Sequence, residues 1–114
     1  MDKIHYAGDI VYTGTDISRA LLEYARVLAQ KGSSATVEIP VYHADGSRGT
    51  SEFLVGPASQ VVADSIETDW EEIVDKATVD FLKAATSATV GTNAVAFDAS
   101  AESSEPTFPD FGDL

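Results

Sequence analysis

Apolar and polar residues alternate through residues 36–43, with Val37, Ile39 and Val41 on one face and Glu38, Pro40 and Tyr42 on the other. A period of two marks a half-buried β-strand. Pro40 has no amide hydrogen, so its nitrogen should face an edge or a bulge. Asp45 and Gly46 tolerate positive φ, and residues 51–55 resume the β composition, which together predict a hairpin. After the Gly56-Pro57 break, residues 60–63 read as a third strand of a meander, with a short helix opened by Pro57 as the alternative. Upstream, residues 9–12 form a shorter strand stopped by Thr13-Gly14-Thr15-Asp16.

Two segments follow the helical period instead. Ile17, Ala20, Leu21, Tyr24, Ala25 and Leu28 recur at i, i+3, i+4 and i+7, with Thr15 or Asp16 placed to cap the start and Gly32 to end the helix. Arg19, Glu23, Arg26 and Gln30 occupy the opposite, solvated face, with Arg19 and Glu23 four apart. The second helix is predicted from Thr68, where Thr68 and Glu71 have capping-box spacing, with a core stripe of Trp70, Ile73, Val74, Ala77, Phe81, Ala84 and Ala85. Asp69, Glu71 and Glu72 would fall in its first turn, at the positive end of the helix macrodipole. The pattern dissolves after Thr86.

These elements give a two-layer α+β domain over residues 1–88. A mainly antiparallel sheet of three to four strands, in the order β-α-β-β-β-α, is covered by two helices. Residues 89–114 carry five acids and no base, a composition too polar to offset ordering entropy, and read as an acidic flexible tail. Residues 92–97 are the one place in that tail where an extra strand is conceivable.

Charge narrows the partners. The chain of 114 residues has 19 Asp and Glu against 7 Lys and Arg, a net charge of -12. Such a surface gains nothing from counterion release on phosphate and is repelled by anionic headgroups, so direct nucleic-acid and membrane binding are not expected. Solubility, or adaptation to a salty cytoplasm, is an adequate reason for the excess. There is no run of 18 apolar residues, and the first residues lack the basic and apolar regions of a signal peptide, so a cytoplasmic location is the expectation. With no cysteine, disulfides and thiolate chemistry are absent.

No residue pattern calls for catalysis, a metal or a cofactor. His5 and His43 lie in or beside β segments without further ligands at suitable spacing. The acids Asp64, Glu67, Asp69, Glu71, Glu72 and Asp75 lack the glycine and spacing of a calcium loop, and a helix cap with a solvated face accounts for them. Thr13-Gly14-Thr15-Asp16 joins a strand to a helix, but with one glycine, no lysine and an aspartate it is a plain turn and not a phosphate loop. Ser59 lacks the flanking glycines of a nucleophile elbow. Trp70, Tyr12, Tyr24, Phe53 and Phe81 read as core. The order helix, three strands, helix over residues 16–86 resembles, in topology alone, the double-stranded-RNA-binding domain. The turn Asp69-Trp70-Glu71-Glu72 stands where that fold needs bases, so no RNA function is carried over.

The C-terminus differs from the spacer before it. Phe108, Phe111 and Leu114 recur every three residues beside Asp110 and Asp113, the composition of a short peptide that docks into a basic, apolar-lined groove. The resulting expectation is a non-enzymatic protein-interaction module whose partner is a protein, contacted through Phe108, Asp110, Phe111, Asp113 and Leu114. Two alternatives stand beside it: an inhibitor that mimics the charge of DNA, and a small enzyme or metal-dependent binder.

Overall fold

A computed structural model describes residues 1–95. Five strands, β1 (Asp2–Tyr6), β2 (Asp9–Thr13), β3 (Ala35–Tyr42), β4 (Arg48–Val55) and β5 (Val61–Ser65), and two helices, α1 (Thr15–Lys31) and α2 (Lys76–Val95), form an α+β fold. All pairings are antiparallel, in the spatial order β4-β3-β2-β1-β5.

The strand β1 was not expected from the sequence. It pairs with β2 through a two-residue turn in which Ala7 has φ 52° and Gly8 φ 86°, the values of a type I′ hairpin. Alanine at the first position hides the turn from a search for Asn-Gly or Asp-Gly. The predicted hairpin at Asp45-Gly46 forms: Gly46 has φ 86°, and Asp45 Oδ1 accepts from the Ser47 amide at 3.0 Å and from its hydroxyl at 2.7 Å. Its strands pair from Tyr42 with Arg48 to Ala35 with Val55.

Residues 61–65 are a strand, but the meander is overturned. β5 pairs with β1 at the far edge, Val61 opposite Tyr6 and Ser65 opposite Asp2, and does not follow β4. The likeness to the double-stranded-RNA-binding topology ends there, because that arrangement needs three consecutive neighbouring strands. A connection as short as residues 56–60 spans between opposite edges because the sheet is strongly curled. β2 and β3 pair only at Tyr12 and Tyr42, and the Tyr6 ring lies 5.1 Å from that of Phe53 although two strands separate theirs. Pro40 explains the weak junction. Its carbonyl accepts from the Thr13 hydroxyl at 2.8 Å, so the nitrogen without a hydrogen points to the same β2 side, where a full ladder would need a donor.

Helix α1 buries Ile17, Ala20, Leu21, Tyr24 and Leu28 against Ile4, Val37, Ile39, Val41, Phe53 and Val55 of the sheet, and Val27 is buried as well. Gly32 ends it at φ 66° in the left-handed region, as predicted. The exposed pair is Arg26 with Glu23, three apart, in place of Arg19 with Glu23. The start also differs: Gly14 occupies the cap position without a side-chain bond, and the carboxylate of Glu72 accepts from the Thr15 amide at 2.7 Å.

Helix α2 is shorter at its start than predicted and extends further. The capping box does not form; Thr68 Oγ1 accepts from the Trp70 amide at 3.2 Å in a local turn. Asp75 caps the helix instead, Oδ1 accepting from the Thr78 amide at 3.2 Å. Residues 66–75 are an extended strap, and α2 runs on to Val95, so residues 92–95, where a strand was conceivable, are helical. The remainder of the predicted tail, with Phe108, Asp110, Phe111, Asp113 and Leu114, lies outside the described residues. No helix among the described residues is long and apolar enough to cross a membrane.

Candidate functional site

Helix α2 packs beside α1 through Val79, Leu82, Ala85, Thr86 and Thr89, of which Leu82 is fully buried. The two threonines fit that face because their hydroxyls bond back along the helix, Thr86 to the Leu82 carbonyl at 2.8 Å and Thr89 to the Ala85 carbonyl at 2.9 Å. The predicted core stripe is therefore out of phase. Of its members Ile73 is buried and Trp70 and Ala85 pack against the core, whereas Phe81 is 60% exposed and Val74 82%, and Ala77 and Ala84 face solvent as well. Ala77, Phe81, Ala84 and Ala88 make an outward strip along α2 that carries no charged side chain, with Val74 exposed in the strap just before it. Lys76 and Asp80, 2.6 Å apart, and Lys83 flank it.

The strap fixes the angle at which α2 leaves the sheet. Its Glu72 carboxylate accepts from the Met1 ammonium at 2.8 Å as well as from the Thr15 amide. These two donors, the ammonium first, hold the Glu72 carboxyl below the ordinary glutamate range. A Cβ on Gly14 would stand 1.8 Å from the Ile73 carbonyl oxygen, so only glycine lets the strap lie on the start of α1. That helix N-terminus is thus filled by the protein's own carboxylate, which answers the question of a phosphate site at Thr13-Gly14-Thr15-Asp16.

Trp70 is not on a helix. It lies half-buried on the sheet face opposite α1, edge-on to Tyr12 with ring centroids 5.2 Å apart and beside Tyr42 at 5.0 Å. Tyr24 and Phe53 are core, as predicted, and Phe81 is not.

The other singled-out residues do not converge. His5 Nε2 lies 3.1 Å from Asp64 Oδ2 across β1 and β5, whereas His43 is in the β3-β4 loop, its Nε2 close over Gly49. The acidic run is divided in the same way. Asp64 meets His5, Glu72 meets Met1, and Asp75 caps α2. Among the described residues, no group of three or more His, Cys, Asp or Glu could hold a metal. An open cleft of about 810 Å³ lies between residues 56–60 and the β1-β2 turn, with His5 and Ser59 on its wall. The Ser59 hydroxyl is spent on the crossover, donating to the Leu54 carbonyl and accepting from the Gly56 amide, each at 3.0 Å. This arrangement shapes a loop and does not prepare a nucleophile.

The outward strip was visible in the sequence as an apolar pattern, but its direction was not. Its geometry offers a flat, uncharged helical surface and no reacting groups. No protein-family model matches the chain, and no curated protein and no solved structure matches it either.

Proposed function

We propose that this protein is a non-enzymatic protein-interaction module that binds through the outward strip of α2. The exposure of Phe81 carries the reading. A phenylalanine 60% open to water on a helix, in one strip with Ala77, Ala84 and Ala88, gives up the burial that would stabilise a solitary domain. A partner helix or groove restores it. The C-terminal peptide with Phe108, Asp110, Phe111, Asp113 and Leu114 supplies a second, separate contact to a basic, apolar-lined groove on a protein partner.

A photoreactive phenylalanine analogue at position 81 tests the α2 contact. Irradiation in an extract of the source cells is expected to give discrete protein adducts that are absent with the same group at Ala29, exposed on α1. Equal labelling at both positions overturns the reading.

The charge-mimic alternative draws on a different observation. Glu38 and Glu52 stand directly opposite each other on β3 and β4, a like-charge pairing that destabilises a sheet. Competition with DNA for a basic protein, weakened when both are changed to Gln, is the result that reading requires.

A further inference from the structure

We propose that two copies of this chain pair through the outer edge of β4, antiparallel about a two-fold axis between their Thr50 residues, and so join their sheets into one. This contact does not involve the α2 strip. β4 is an end strand of the sheet and pairs with β3 alone. Beside the hairpin turn the His43 amide donates to the Ser47 carbonyl at 2.8 Å, and the alternation of an antiparallel ladder gives the β3-facing backbone groups to Gly49, Ser51, Phe53 and Val55. The amides and carbonyls of Arg48, Thr50, Glu52 and Leu54 therefore face outward. At Leu54 the carbonyl is occupied, accepting from the Tyr6 and Ser59 hydroxyls, which leaves residues 48–52 as the open edge. The strand holds no proline, no lysine and no bulge, the features that blunt an edge.

Charge selects the partner and the register. Arg48, Thr50 and Glu52 are exposed and share one face of the strand. Turned end for end about Thr50, the edge sets Arg48 opposite Glu52 of the second copy, Thr50 opposite its Thr50, and Glu52 opposite its Arg48. Each of these outward-facing pairs can exchange two backbone hydrogen bonds, and the contact is isologous, as a two-fold axis demands. The two ion pairs answer an imbalance within one copy. Glu52 stands opposite Glu38, a destabilising like-charge pair, while Arg48 has no carboxylate partner among the described residues and lies over the Tyr42 ring, 5.2 Å from its centroid. Neighbouring registers lose the match. Centred on Glu52, the edge sets that carboxylate against itself; centred on Ser51, it sets Arg48 against Leu54, whose carbonyl is already bonded. In a chain of net charge -12, the charges of residues 48–52 cancel, so repulsion between copies is small along this stretch.

Sedimentation of the full chain from about 5 to 500 micromolar is expected to show a monomer-dimer equilibrium with a dissociation constant on the order of 10 to 100 micromolar, the weak range of a small interface. Arg48→Glu and Glu52→Arg should each raise that constant by about tenfold or more, because each sets like charges opposite one another at both ends of the pairing. Mixing the two variants should bring it back to within about threefold of the parent, since every position 48 then faces the opposite charge at 52. A variant that had merely failed to fold would not recover on mixing. Hydrogen exchange gives a second reading: the amides of Arg48, Thr50 and Glu52 should gain protection as concentration rises, more than those of Gly49 and Ser51, which already face β3. Monomers throughout the concentration range overturn the pairing, as does a dimer that the mixed variants do not restore or one that leaves these three amides unprotected. The α2 strip stands or falls separately, on capture at position 81.

Discussion

The indole of Trp70 lies beside the phenol ring of Tyr42, centroids 5.0 Å apart and planes inclined by 39°, while the Tyr42 hydroxyl donates to the Glu71 carbonyl at 2.9 Å. One strand residue thus grips the strap at two consecutive positions. The contact closes the end of the sheet at which β2 and β3 are held by a single pair. Trp70→Ala should therefore destabilise by about 2 kcal/mol, below the 3 to 5 of a fully buried tryptophan because this one keeps part of its surface in water. Urea unfolding followed by far-ultraviolet circular dichroism measures it, and a loss under about 0.5 kcal/mol would place the strap's anchor elsewhere.

Two glycines should respond in opposite directions to the same change. Gly14→Ala drives a methyl against the Ile73 carbonyl and is expected to cost more than about 2 kcal/mol through the displaced strap. Gly91→Ala meets open space and should stabilise the monomer by about 0.5 to 1 kcal/mol through helix propensity. Thermal melts in dilute solution compare the two.

The Glu72 ion pair should leave a mark in acid. Its carboxyl is held low in the folded protein by the Met1 ammonium and the Thr15 amide. The contribution is accordingly complete above the unfolded value of about 4.3 and is lost as pH falls through the lower folded value. Glu72→Gln should be less stable than the parent at pH 7, by no more than about 1 kcal/mol because the carboxylate is 42% exposed. The gap should close as the pH drops below about 4. Trp70 fluorescence, which reports the strap, is a suitable signal, and a constant gap from pH 7 to 3 would remove Glu72 from that role.

The docking proposed for the C-terminal peptide should be separable from stability. Phe108→Ala with Phe111→Ala is expected to abolish capture of the tail's protein partner and to leave the melting temperature within about a degree. A fall of several degrees would instead mean that these rings pack on the domain, since about 1 kcal/mol moves the midpoint of a domain this small by roughly 4 to 8 degrees.

Local chemistry alone determined much of this protein. The alternation that buries Val37, Ile39 and Val41, the apolar period of α1, the left-handed end at Gly32 and the positive φ of Gly46 all follow from residues within a few positions of one another. What neighbours could not settle was decided by tertiary competition. The α2 segment holds two stripes, Val79, Leu82, Thr86 and Thr89 on one side and Ala77, Phe81, Ala84 and Ala88 on the other. Periodicity favours the more apolar second stripe, whereas the strap's approach over Gly14 turns the first toward α1. Likewise, residues 61–65 have strand character in any partner's company, but only the curl of the sheet brings the edge of β1 within reach and leaves that of β4 unpaired. Thr68 and Glu71 have the spacing of a capping box. They form none because Trp70 is drawn to Tyr12 and Tyr42 and Glu72 to Met1, contacts between residues far apart in the chain that outweigh a cap worth about 1 kcal/mol.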